Sequence, residues 1–181
     1  MWVPLGMAAT TRPLPSTNSD RPEVPTQVLY LFVSLIIVVG VSLAGRSWTD
    51  TGTGSWYNSL SKHPITPPGA VFGIAWGLLY LAIGVAAFLV AREGMNRSDV
   101  RQALAFYVVQ LVLNLGWTFI FFRAERPGWA LVEIVILLVA AGLTAVKFRP
   151  ISRPAAGLFV PYLGWLTFAT VLTMWFCVKN S

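Results

Sequence analysis

The chain has 181 residues, of which 56% are hydrophobic and only 11% are charged. This composition is far more apolar and far less charged than that of a soluble globular domain, so it indicates a membrane protein. The net charge of +6 does not indicate a nucleic-acid partner, because the thirteen lysine and arginine residues are spread over the loops without forming a basic stripe.

The chain begins with a tail of 26 residues in which five prolines stand among serine, threonine and asparagine. Proline removes a backbone donor and this composition buries little apolar surface, so we expect residues 1–26 to be disordered. The tail does not resemble a signal peptide, because it lacks a basic first segment and Pro4 interrupts its apolar run.

Five apolar runs follow, each long enough to cross a bilayer as a helix of roughly 20 residues. The connections between them leave no room for a separate soluble domain. The sequence therefore predicts an all-α, multi-pass integral membrane protein folded as a five-helix transmembrane bundle, in a membrane that it does not identify. The predicted helices cover residues 27–45, 70–91, 103–122, 128–146 and 155–178.

The second predicted helix carries Gly73, Gly77 and Gly84 on one face. Small residues at such spacing let two helix backbones approach closely in lipid. We therefore predict that these glycines form a homodimer interface, with helix packing inside one chain as the alternative.

The third predicted helix carries a stripe of two amides and two aromatic rings, which are Gln110, Asn114, Trp117 and Phe121. An amide that faced lipid would lack a hydrogen-bond partner, so this stripe is expected to face the bundle or a cavity. The sequence leaves open whether the amides bond to other helices or contact a ligand.

The fourth predicted helix contains Glu133, the only ionisable carboxylate or amine inside any of the five runs. Ionisable residues inside a membrane commonly mark functional sites, and a carboxylate suits a cation or an amine. Glu133 lies only about 8 Å inside the helix start, however, so a neutral or water-reached carboxyl group is the alternative.

The fifth predicted helix gathers five residues within about a third of its circumference, namely Pro161, Tyr162, Trp165, Ala169 and Thr173. Pro161 removes a backbone hydrogen bond and can kink the helix, which would widen the bundle near Tyr162 and Trp165. Trp76, Trp117 and Trp165 lie well inside their predicted spans, where tryptophan is not explained as an interface anchor.

Common metal and catalytic patterns are absent from the sequence. One histidine and one cysteine cannot assemble a His/Cys metal site, so neither a protein-held metal nor a required cofactor is predicted. There is no GK[ST] phosphate loop and no G-x-S-x-G motif, which argues against nucleotide and serine-hydrolase chemistry.

Four segments carry a resemblance to a known family. They read "WYNSLSKHPITPPGAVFGIAWGLLY", "QALAFYVVQLVLNLGWTFIFF", "GWALVE" and "LFVPYLGWLTFAT". In this order they resemble the translocator protein family, also called tryptophan-rich sensory proteins or peripheral-type benzodiazepine receptors. The resemblance covers all five predicted helices, from about residue 27 to 180, and leaves out the tail.

The resemblance implies a five-helix membrane protein, often a homodimer, that binds tetrapyrroles such as protoporphyrin IX in a cavity inside the bundle. It also implies that the first loop acts as a lid, which Pro64, Pro67 and Pro68 would stiffen. We therefore expect a function in tetrapyrrole transport, sensing or scavenging, with the lipid bilayer as the second partner. The predicted ligand-binding residues are Trp76, Trp165, Asn114, Trp117, Ala169, Tyr162, Phe72, Tyr57, Pro67 and Pro68.

The expected ligand chemistry suggests where charge is needed. A porphyrin is a flat apolar plate with two propionates, and Lys62 or Arg46 on the lid side are candidates to meet those carboxylates. The lid departs from the common family pattern, because His63, Ile65 and Ala70 stand where a proline and two tryptophans are usual.

Three alternatives to simple tetrapyrrole binding are open. One is light-dependent oxidative breakdown of a bound porphyrin, with Trp76 and Trp165 as redox partners and without a protein acid, base or metal. The second is a membrane scaffold or regulator without a small ligand. The third is sterol binding, although the segment "VLTMWFCVK" lacks the tyrosine of the proposed cholesterol motif.

Overall fold

The computed structural model describes residues 21–180, and within that range the protein is helical with no β-strand. Five helices are long and apolar enough to cross a membrane, so the predicted all-α multi-pass fold is confirmed. A short helix lies in the loop after the first of them. The elements are α1 (Val24–Trp48), α2 (Trp56–Ser59), α3 (Gly69–Ala91), α4 (Ser98–Thr118), α5 (Pro127–Phe148) and α6 (Arg153–Lys179).

Helix α1 begins inside the segment that the sequence predicted to be disordered. Val24, Pro25 and Thr26 are helical, which corrects that prediction for these three residues. Pro25 is tolerated because it lies in the first turn, where a backbone N–H would have no helical acceptor. The same prediction for residues 1–20 lies outside the described residues.

Helix α4 does not end regularly but continues as a π-helical turn over Phe119–Arg123. The wider turn is closed by the backbone N–H of Ala124, which donates to the carbonyl of Phe119 at 2.9 Å. Phe121 and Phe122 are both buried although they are neighbours in sequence. This turn therefore brings two adjacent rings into the bundle at its loop end.

Around the bundle the helices follow the order α1, α3, α6, α5 and α4, and α4 returns to contact both α1 and α3. The faces that point away from these contacts carry exposed apolar side chains, among them Ile36, Leu81 and Ile136. Such an outer surface suits lipid, because acyl chains are as apolar as these side chains.

The closest approach between α1 and α3 occurs at Gly84. A Cβ atom placed on Gly84 would lie 2.8 Å from Cγ2 of Val38, a fully buried α1 residue of the same chain. Gly84 is therefore buried in the contact between α1 and α3 of one chain. The prediction that Gly84 lies in a dimer interface is wrong. The periodicity showed that a helix packs there, but it could not show which helix.

The first loop, residues 49–68, folds back onto the ends of α4 and α6. Two aromatic rings of α2 make this contact. The ring centroids of Trp56 and Phe121 are 5.6 Å apart, and those of Tyr57 and Phe176 are 5.8 Å apart. The backbone N–H of Ser61 donates to Oδ1 of Asn180 at 2.8 Å. These contacts tie the middle of the loop to the end of the bundle.

Candidate functional site

A cavity lies between α1, α3 and α4 and opens toward the two ends of the first loop. It has a volume of about 560 Å³, which falls within the usual range for a small-molecule site, roughly 300–1,000 Å³. Gly73 and Gly77 lie on its α3 side, and a Cβ atom on either would meet nothing within 4 Å. The lining residues are Ser42, Gly45, Arg46, Thr49, Thr51, Gly69, Ala70, Phe72, Gly73, Ile74, Trp76, Gly77, Tyr80, Trp117, Thr118 and Phe122.

Gly73 and Gly77 border the cavity within one chain, and their role in a homodimer interface stays a prediction. They contribute open space to the cavity, because glycine leaves the room that a side chain would fill. The homodimer itself stays a prediction.

Aromatic rings form one wall of the cavity. The Trp76 ring lies 5.6 Å from the Tyr80 ring and 6.0 Å from the Trp117 ring, at interplanar angles of 33° and 31°. Phe72 adds an edge contact to Trp76 at 6.1 Å. The Tyr80 and Trp117 rings are each tilted by roughly 30° from the Trp76 ring, and together the three give the cavity an aromatic wall against which a flat ligand can pack.

The cavity is polar where α1 ends. Arg46 lies in the last turn of α1 and is exposed, and Thr49 and Thr51 line the same side. None of the ion pairs among residues 21–180 involves the Arg46 guanidinium. A cation at this position can meet a carboxylate on a ligand whose apolar body lies deeper.

Lys62, the other candidate cation, is engaged within the loop. Its ammonium group donates to Oδ1 of Asn58 and lies 4.9 Å from the centroid of the Tyr57 ring. Lys62 does not line the cavity. The structure therefore favours Arg46 over Lys62 as the group that meets ligand carboxylates.

Asn114 does not line the cavity but joins three helices. Its Oδ1 accepts a hydrogen bond from the Tyr80 hydroxyl, and its Nδ2 donates to the Tyr162 hydroxyl at 3.0 Å. The Tyr162 hydroxyl in turn donates to Oε1 of Gln110 at 2.8 Å. Of the two possibilities that the sequence left open, the structure shows the bond between helices, and the same chain of bonds holds Tyr162.

Trp165 faces a different space from Trp76 and Trp117. It lines an open groove of about 690 Å³ between α3 and α6, together with Ala75, Leu78, Leu79, Ala82, Pro161, Gly164 and Phe168. Its ring touches the Trp76 ring edge to face, with centroids 6.4 Å apart. The prediction that both tryptophans line one chamber is therefore corrected: α6 contributes no residue to the α1–α3–α4 cavity.

The remaining predicted ligand-binding residues lie away from the cavity wall. Ala169 is buried in the bundle core, and Tyr57 packs on Phe121, Phe122 and Phe176. Pro67 and Pro68 lead the first loop into α3, with Pro68 as its N-terminal flanking residue. They position the cavity's edge at Gly69 without lining it.

The α1 wall is the part of the site that the sequence interpretation missed. Ser42 and Gly45 in α1 and Thr49 directly after it follow one another at i, i+3 and i+7, so they form a stripe of small and polar residues along the end of this helix. That stripe was visible in the sequence. Only the packing of α1 against α3 and α4 shows that it faces a cavity.

Comparison with known proteins places the chain in a family. The model of the TspO/MBR family matches residues 32–178. The chain is similar to the tryptophan-rich protein TspO of Chlorobaculum tepidum, with 34% identity over 81% of this chain and 92% of the relative. It is also similar to the TspO protein of Archaeoglobus fulgidus, with 36% identity over 85% and 99% of the two chains.

A vertebrate relative shows the same relationship at higher identity. The translocator protein of Homo sapiens is 42% identical over 68% of this chain and 72% of its own length. The region that the family model matches begins at Phe32 in α1 and ends at Val178 in α6. The five-span membrane fold and this match lead to one conclusion: the chain belongs to the TspO/MBR family, as its tryptophan-bearing segments suggested.

Proposed function

We propose that this protein binds a tetrapyrrole such as protoporphyrin IX in the α1–α3–α4 cavity and acts in tetrapyrrole transport, sensing or scavenging. The observation that carries the proposal is the wall formed by Tyr80, Trp76 and Trp117, in which the Tyr80 and Trp117 rings are tilted by 33° and 31° from the Trp76 ring. A porphyrin is a flat aromatic plate, and aromatic plates gain most from offset stacking on such faces.

The polar and apolar ends of the cavity match the two ends of such a ligand. Arg46, Thr49 and Thr51 stand at one side, where propionates would be hydrogen-bonded, and the rings stand at the other. The names of relatives, translocator protein and tryptophan-rich sensory protein, agree with a transport or sensing role.

The first loop serves as a lid in this proposal. Its first part contributes Thr49 and Thr51 to the cavity, and Gly69, which lines the cavity too, directly follows its last residue. The middle of the loop is fixed to the end of α6 through Ser61 and Asn180. A ligand that enters from the loop side would require these contacts to open.

The test is a titration of the purified protein in lipid nanodiscs with protoporphyrin IX, followed by the porphyrin absorbance band. We expect saturable binding, and we expect Trp117→Ala to weaken it at least about tenfold, because the variant loses a stacking face and its buried area. Trp129→Ala is the matched control, since Trp129 is 69% exposed and lines no part of the cavity.

The outcomes separate the alternatives. Absence of saturable binding would reject the proposal and favour a scaffold without a small ligand. Equal loss in Trp117→Ala and Trp129→Ala would show that porphyrin partitions into the protein–lipid boundary and does not occupy the cavity.

A further inference from the structure

A buried carboxyl group lies between α4 and α5, outside the cavity and the groove. Glu133 stands in the second turn of α5 and reaches across to α4 at Gly116. A Cβ atom on Gly116 would lie 3.4 Å from Oε1 of Glu133, so the glycine provides the room that the carboxyl group occupies. Both Oε1 and Oε2 of Glu133 are buried and accept no hydrogen bond from any residue between 21 and 180.

Within residues 21–180, Glu133 has no charged partner either. The ion pairs within the described part of the chain join Arg21 or Arg92 to Glu93, and Arg97 to Asp99, all at the opposite end of the bundle. The charged and titratable groups nearest this part of α5 on the packed elements and the preceding connection are Arg123, Glu125, Arg126, Tyr162, Cys177 and Lys179. None of them donates a hydrogen bond to the Glu133 oxygens or pairs with them within 4.0 Å.

This geometry disfavours a bare carboxylate. A buried anion without donors loses its hydration and gains nothing in exchange, at a cost of several kcal/mol in real proteins. A bound cation would remove that cost, but Glu133 lines neither the α1–α3–α4 cavity nor the α3–α6 groove. A proton is the cation that needs no cavity.

We propose that Glu133 is a proton-binding site inside the membrane, where the carboxyl group holds one proton in the packed contact with Gly116. Loss of that proton places an uncompensated charge between α4 and α5 and loosens their contact. The site is separate from the tetrapyrrole cavity, and the inference does not depend on the proposed function. The proton exchanges with water at the loop end of the bundle, where α5 begins.

Infrared spectroscopy of the full chain in lipid nanodiscs tests this assignment directly. A protonated carboxyl group gives a carbonyl stretching band that is distinct from carboxylate bands. We expect such a band at neutral pH, its loss in Glu133→Gln and its disappearance at strongly alkaline pH. Glu125→Gln is the control, because Glu125 is exposed in the connection before α5 and should leave the band unchanged.

A second measurement reads the consequence for packing. Glu133→Gln keeps the shape of the neutral acid, so we expect its thermal unfolding temperature to match that of the wild type at about pH 4 and below, where the carboxyl group of the unfolded chain is protonated as well. The wild type should lose stability as pH rises, whereas Glu133→Gln should not. A carboxylate in place of the protonated band at neutral pH, or the same alkaline loss of stability in both proteins, would overturn the proposal.

Discussion

The indole rings of Trp76 and Trp165 touch edge to face, with centroids 6.4 Å apart at an interplanar angle of 86°, yet they face different spaces. Trp76 borders the cavity between α1, α3 and α4, and Trp165 borders the groove between α3 and α6. Helix α3 therefore acts as a partition between the two spaces: its own Trp76 faces the cavity, and Trp165 of α6 faces the groove.

This partition predicts that the two tryptophans contribute unequally to ligand binding. Trp165→Phe keeps a ring beside Trp76 and changes no cavity residue, so the dissociation constant for protoporphyrin IX should stay within roughly twofold of the wild-type value. An absorbance titration of Trp165→Phe beside Trp117→Phe checks this. A larger loss in Trp165→Phe than in Trp117→Phe would place the ligand on the α6 side of the partition.

Arg46 should discriminate between ligands by charge. Arg46→Gln removes the cation at the polar side of the cavity, so we expect protoporphyrin IX to bind about three- to tenfold more weakly, the effect being limited by solvent exposure. The dimethyl ester of the same porphyrin should bind both proteins equally. Arg123→Gln is the control, since Arg123 ends the π-helical turn outside the cavity lining.

Gly84 should be intolerant of a side chain. Gly84→Ala places a methyl group 2.8 Å from Cγ2 of Val38, which is β-branched and packed, so we expect a loss of about 1–3 kcal/mol in stability. Gly77→Ala, whose Cβ meets nothing within 4 Å, should cost far less. Thermal unfolding in detergent measures both, and the double variant Gly84→Ala with Val38→Ala should recover part of the loss.

The hydroxyl of Tyr162 should matter more for stability than that of Tyr107. Tyr162→Phe leaves Nδ2 of Asn114 and Oε1 of Gln110 without the hydroxyl to which they are hydrogen-bonded. We expect this to lower the free energy of unfolding by about 1–3 kcal/mol. Tyr107→Phe removes a buried hydroxyl that has no hydrogen-bond partner among the described residues, so it should be close to neutral or stabilising. Equal unfolding temperatures for the two variants would contradict this ranking.

The anchoring of the first loop should control its exposure to protease. The Trp175 indole donates to the carbonyl of Ser61 at 3.2 Å and packs against His63 at 4.5 Å between centroids. Trp175→Phe keeps a ring but removes the donor, so trypsin should cleave after Lys62 several times faster. Limited proteolysis checks this, with Trp129→Phe as the variant that should leave the rate unchanged.

The sequence by itself determined the membrane fold. Runs of about 20 apolar residues can satisfy their backbone groups in lipid only as helices, so length and composition were enough to predict the five spans. Local chemistry explains the boundary that was misplaced: Pro25 is compatible with a first helical turn, so α1 begins before the proline-rich segment ends.

The tertiary structure alone decided which faces meet. Helical periodicity shows that Gly84, Asn114 and Trp165 each lie on a marked face, but the angle between two helices and the identity of the neighbour depend on packing across the whole bundle. Packing put Gly84 against α1 and Asn114 between two tyrosines, and it turned Trp165 away from the cavity. The α1 stripe that borders the cavity became recognisable for the same reason, because a cavity belongs to several helices at once.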